Sequence, residues 1–146
     1  VEPSKQLTWV KGLKTAYQCL GATQRDQYSW VAKTEQIYVF SAETDHIDPE
    51  NNKYSHKIGT FFKRVPAMTT ELGHEPLSIS HSKELFEAVT DAFSRSIECY
   101  VILVKGTKFG TSKGGVKAGY DSHLWIVKEL NGSVEKGYEF KLCRTR

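Results

Sequence analysis

The chain has little of what marks a zinc protein, a secreted disulfide scaffold or a membrane protein. Cysteine occurs three times, as Cys19, Cys99 and Cys143. An odd count at wide spacing argues against a disulfide framework. There is no Cys-x-x-Cys, and no paired histidines lie near a cysteine, so the common zinc patterns are absent. Cys99 opens the apolar run CYVILV and reads as a buried thiol. The expected setting is therefore reducing and cytoplasmic. No apolar stretch nears the roughly 18 residues of a membrane helix, the longest lying at Tyr100–Val104, so no membrane partner is expected. G-x-S-x-G and the Walker loop are both missing. No cofactor is expected.

What is present suits one globular domain. The chain has 146 residues, 39% hydrophobic and 25% charged. A domain of this size buries about 68–70% of its unfolded surface, enough to fold without staples. The chain begins at Val1 without an initiator methionine and reads as a single domain, 1–146, cut from a longer protein.

Net charge is only +3, but the charge is blocked. Residues 43–50 carry Glu43, Asp45, Asp48 and Glu50 with no Lys or Arg. Residues 53–64 carry Lys53, Lys57, Lys63 and Arg64 with no acid. Residues 105–119 carry Lys105, Lys108, Lys113 and Lys117, again with no acid, among several glycines.

Periodicity gives the coarse architecture. Leu7, Val10, Leu13, Tyr17 and Leu20 fall at helical steps, predicting a helix over 4–20 stopped by Gly21. Residues 28–40 predict two short strands about a turn at 33–35, and 57–65 a strand ended by Pro66. Leu85, Phe86, Val89, Ala92 and Phe93 make one apolar stripe on a helix from Ser82 to Ser96, with Ser82 as N-cap. Residues 98–104 predict a buried strand. Asn131-Gly132 predicts a hairpin tip between strands at 123–130 and 133–142. Tyr138, Phe140 and Leu142 alternate with polar neighbours and predict one buried face, with a bulge at Gly137. Most connections are too short for βαβ crossovers. The expected class is α+β: a curled antiparallel sheet or partial β-barrel of about six strands with two flanking helices.

The loop over 105–119 is the strongest functional candidate. Its glycines let a backbone come close to a ligand, and its lysines, Thr107, Thr111 and Ser112 are phosphate-contact types. A solvated surface loop fits the same residues. Lys57, Lys63 and Arg64 form a second basic segment for a nucleic-acid backbone. Tyr28, Trp30 and Tyr120 lie near loops, where aromatics suit base stacking, whereas Trp125 in HLWIV reads as core. The acidic stretch with His46 lacks the EF-hand's central Gly and reads as a solvated turn. Asp121 with Glu139-Phe140-Lys141 has the layout of a Mg²⁺-dependent nuclease, although alternating charge on a wet hairpin face explains it too.

Two stretches resemble a known group. VKAGYDSHLWIVKELNGSVEKGYEFKLCR is similar in layout to the end of SRA domains, which bind modified cytosine in DNA. There a Tyr-Asp-Gly follows a Lys/Gly-rich loop; here the triplet is Tyr120-Asp121-Ser122, with Ser in place of Gly. AYQCLGATQRDQYSWVAKTEQIYVF resembles the reader domains of modification-dependent restriction enzymes, which are SRA-like, EVE-like and other PUA-like β-barrels. Together they span about a third of the chain. The resemblance implies a PUA/SRA-like fold, basic loops astride a duplex, and an aromatic pocket for one flipped base. Asp121 is then a candidate contact to the base edge.

The expectation is a DNA-binding reader module of a restriction or defence protein, fused to a catalytic domain. The alternatives are the nuclease, an RNA-binding domain and a protein-interaction module using the acidic 43–50 stretch. Backbone lysines alone do not separate DNA from RNA.

Overall fold

The computed structural model describes residues 7–25, 29–43, 60–67, 76–105, 117–120 and 123–144. In chain order the elements are β1 (Thr8–Lys11), α1 (Leu13–Cys19), β2 (Thr23–Gln24), β3 (Val31–Lys33), β4 (Tyr38–Glu43) and β5 (Thr60–Val65). They continue with α2 (Pro76–Arg95), β6 (Cys99–Lys105), β7 (Lys117–Tyr120), β8 (Trp125–Ser133) and β9 (Gly137–Arg144). The class is α+β, as expected, with two helices and nine strands in one sheet among the described residues.

The N-terminal helix is shorter than its spacing predicted. Thr8, Trp9 and Val10 are strand formers, and they pair antiparallel with Tyr120, Gly119 and Ala118. Gly12, at φ 89°, turns the chain from β1 into α1. Gly21, at φ 74°, ends α1 where expected. The second helix is longer than predicted. It starts at Pro76, whose fixed φ suits a first helical turn. Ser82 is therefore no cap but an interior residue, fully buried. Ser96, at φ 54°, follows the helix end.

The sheet order is β2-β3-β4-β6-β8-β9-β5, with β7 also on β6 and β1 on β7. The sheet is mixed, correcting the expected antiparallel arrangement. β4 and β6 run parallel, Tyr38 pairing with Cys99 and Glu43 with Val104. The connection between them contains β5 and the 20-residue α2, ample for a crossover. The sheet curls without closing. From β5, Lys63 Nζ donates to the carbonyl oxygen of Ser41 on β4 at 2.7 Å, although those strands are far apart in the pairing order. Phe40 and Phe140 meet across the same interior at 6.0 Å between centroids.

The hairpin forms, but its tip is not at Asn131-Gly132. Gly132 still pairs with Tyr138 and Ser133 with Gly137, so the turn falls at Val134–Lys136. Ser133 Oγ accepts the Lys136 N–H at 3.2 Å and closes that turn. Gly132 is needed inside the ladder: its φ is 101°, and a Cβ there would lie 2.2 Å from the Gly137 carbonyl oxygen. The register shift lies between Val127 and Glu129, not at Gly137.

Two cores use the two faces of the strands. Val31, Phe40, Val101 and Leu103 pack with Leu85, Val89 and Ala92 of α2 and with Tyr138, Phe140 and Leu142 of β9. Ala32, Val39, Ile102 and Val104 pack with Ala16 and Tyr17 of α1. This is the period-two alternation of strands covered on both sides. Trp125 is core and Cys99 is fully buried, both as expected, and burial pushes the Cys99 thiol up.

Candidate nucleic-acid interface

The sheet gathers lysines that are far apart in sequence. Lys11 on β1 is the register partner of Lys117 on β7, and Lys117 is the partner of Lys105 on β6. Three lysines from three strands thus occupy one lateral row. Lys11 and Lys117 are exposed, and neither forms an ion pair among the described residues. Like charges directly opposite on paired strands destabilise a sheet. The exposed Lys11–Lys117 pair is such an opposition.

The next row inward is aromatic. Trp9 pairs with Gly119, and Gly119 with Leu103. A Cβ on Gly119 would lie 2.9 Å from Cη2 and 3.0 Å from Cε3 of Trp9. The indole sits where any other side chain at 119 would stand. It is half-buried, packed at the margin of the α2-side core. Neither Trp9 nor Lys11 stood out in the sequence, because the apolar spacing of their neighbours fitted a helix. The β-forming run Thr8-Trp9-Val10 ahead of Gly12 was the available signal.

A second constellation surrounds Trp30. The buried polar or charged residues among those described are Ser29, Ser41, Lys63, His81 and Ser82. The Trp30 carbonyl accepts from Ser41 Oγ at 3.0 Å, and the Ser41 carbonyl accepts from Lys63. The Trp30 ring lies 6.2 Å from the His81 ring. Ser82, beside His81, accepts the Tyr138 hydroxyl at its carbonyl, at 2.9 Å. Ser29 precedes Trp30, and its carbonyl accepts from Gln24 at 3.0 Å. Trp30, Ser41 and Lys63 are thus joined by hydrogen bonds, and buried polar groups persist in an apolar core when they have partners or a task.

The remaining sequence candidates separate. Trp30 packs at the margin of the α2-side core and Tyr120 at the margin of the α1-side core, so the two do not share a pocket. Cys19 is the first cause that holds the Tyr120 hydroxyl above its usual range, through a side-chain hydrogen bond, with burial next. Lys63 corrects its expected phosphate role: it is 3% exposed and engaged with a backbone carbonyl, whereas phosphates reach surface lysines. Arg64, one residue on, is exposed and pairs with Glu139 at 3.3 Å. Glu139 and Lys141 share a strand face, as the nuclease layout requires, but their cross-strand neighbours are Arg64 and Glu129. Lys57, Lys108, Lys113, Tyr28 and Asp121 lie outside the described residues, and of Lys105 only the backbone position is described.

One more concavity, about 460 Å³, lies along α2 beside Arg25. There Arg25 donates to Glu84 at 2.7 Å and to Ser80 at 3.1 Å.

No protein-family model matches the chain, and comparison with curated proteins and with solved structures returns no match.

Proposed function

We propose that this domain binds nucleic acid, with duplex DNA as its partner, through phosphate contacts from the Lys11–Lys117–Lys105 row. The row itself carries the reading: register partners of one charge, set at the two ends of the glycine- and lysine-rich stretch 106–116. Such a surface holds a polyanion without reading its sequence. Arg64 is spoken for by Glu139, and Lys63 by the interior, so neither belongs to this contact surface.

Sequence or modification would be read elsewhere. β4 and β6 are parallel, so their C-terminal ends lie at one end of the sheet. The lysine row stands there, and Trp30 lies opposite Ser41, near the same end of β4. Trp30 is half-buried there with its ring 6.2 Å from that of His81, and an indole so placed is the kind of group that would stack on an extruded base. In this reading the domain is the specificity module of a restriction or defence protein.

Fluorescence anisotropy with matched duplexes, unmodified and bearing methylated or hydroxymethylated cytosine, tests this at two salt concentrations. Binding that weakens with salt is expected, and tighter binding of one modified duplex supports base reading at Trp30. No binding of any duplex would overturn the proposal and point to RNA or a protein partner.

A further inference from the structure

Trp9 has no place in the reading above, yet its setting is unusual. It lies on the same strand face as Lys11, two residues away, about 7 Å along the strand. The matching position on β7 is Gly119, flanked two residues earlier by Lys117. Glycine leaves the floor of the neighbouring strand bare, and the indole occupies that floor. A half-buried indole is thereby held in a fixed pose beside two exposed ammonium groups. Indoles fixed among lysines offer a π-surface to a base and cations to its phosphate.

We infer that Trp9 is a stacking platform for an unpaired nucleobase whose flanking phosphates lie on Lys11 and Lys117. The inference rests on the nucleic-acid reading and adds a second, sequence-tolerant base contact apart from Trp30. Every base has a π-face, so the platform favours unpaired over duplex structure rather than one base over another.

The test compares a 12-nucleotide oligothymidine with an abasic strand of the same length, at one salt concentration, alongside a duplex. The phosphates are equal in number in the two single strands, so their difference isolates stacking. Wild type should bind oligothymidine roughly tenfold more tightly than the abasic strand. Trp9→Leu keeps an apolar side chain against the core and should bring that ratio close to one, with abasic and duplex affinities unchanged. Trp9→Phe keeps an aromatic face and should retain most of the preference. It also serves if the leucine variant fails to fold by circular dichroism. Equal binding of the two strands by wild type, or a preference that survives in Trp9→Leu, overturns the inference. Salt-dependent duplex binding would then still stand as support for the broader reading. No binding of strand or duplex overturns both.

Discussion

The outer face of the β8–β9–β5 layer and the β1–β7–β6 edge hold the same kinds of charged residue in opposite arrangements. On the outer face of the hairpin layer two cations meet acids: Arg64 lies across from Glu139 and Lys141 across from Glu129. On the other edge Lys11 is the register partner of Lys117, and Lys117 of Lys105. The first is how a sheet surface is made compatible with water and stability. The second gives up stability at one place, and such local conflicts mark functional sites. Charge composition could not separate the two surfaces; register does.

The comparison breaks most sharply if the lysine row is given the hairpin's acids. Lys11→Glu with Lys117→Glu should weaken duplex binding by roughly a hundredfold or more at low salt. Circular dichroism should show the fold retained, because both side chains are exposed. The converse change imposes the row's conflict on the hairpin. Glu129→Lys with Glu139→Lys faces like charges across β5, β9 and β8, and should cost about 1 kcal/mol in urea unfolding. A smaller effect has the opposite sign. Lys117→Gln relieves the row and should stabilise the fold by about 0.2–0.5 kcal/mol at low ionic strength. That gain should shrink as salt screens the lysines. A variant more stable yet weaker in binding is the signature of a surface kept for a partner.

The smallest effect concerns a paired site on α2. Asp91 accepts from Arg95 at 2.7 and 2.8 Å and from the Tyr38 hydroxyl at 2.6 Å. Arg95 first, then Tyr38, holds the Asp91 carboxyl below its ordinary value of 3.8. A depressed carboxylate stabilises the fold above its unfolded pKa and loses that contribution as pH falls through its folded pKa. Asp91→Asn should therefore be slightly less stable than wild type at neutral pH. The two denaturation midpoints should converge below the ordinary aspartate range.

Much of the fold was legible where local pattern and tertiary packing agree. Tyr138, Phe140 and Leu142 alternate with half-buried neighbours, and Leu85, Val89 and Ala92 line the buried side of α2. Phe93, read into that same stripe, is 43% exposed, because it sits at the stripe's margin near the helix end. The illegible parts depend on what lies across space. Residues 4–20 satisfy a helical period, but β7 supplies a strand partner that outweighs it. Asn131-Gly132 has the composition of a hairpin tip, yet pairing continues one residue beyond, to Ser133 opposite Gly137, which also takes positive φ. Lys63 has the identity of a surface cation, and only the curl of β5 toward β4 shows it to be interior. The lysine row is the clearest case. Lys105 and Lys117 bound one basic stretch of the sequence, but Lys11 lies 94 positions before Lys105, and only the β1–β7 register joins it to them.

The most direct measurement is the salt dependence of duplex affinity, for wild type and for Lys11→Gln with Lys117→Gln. If the row holds phosphates, the slope of log K against log salt should become shallower by about 2, near 0.9 for each phosphate contact removed. An unchanged slope would show that DNA is held elsewhere and that the like-charged row has no part in binding it.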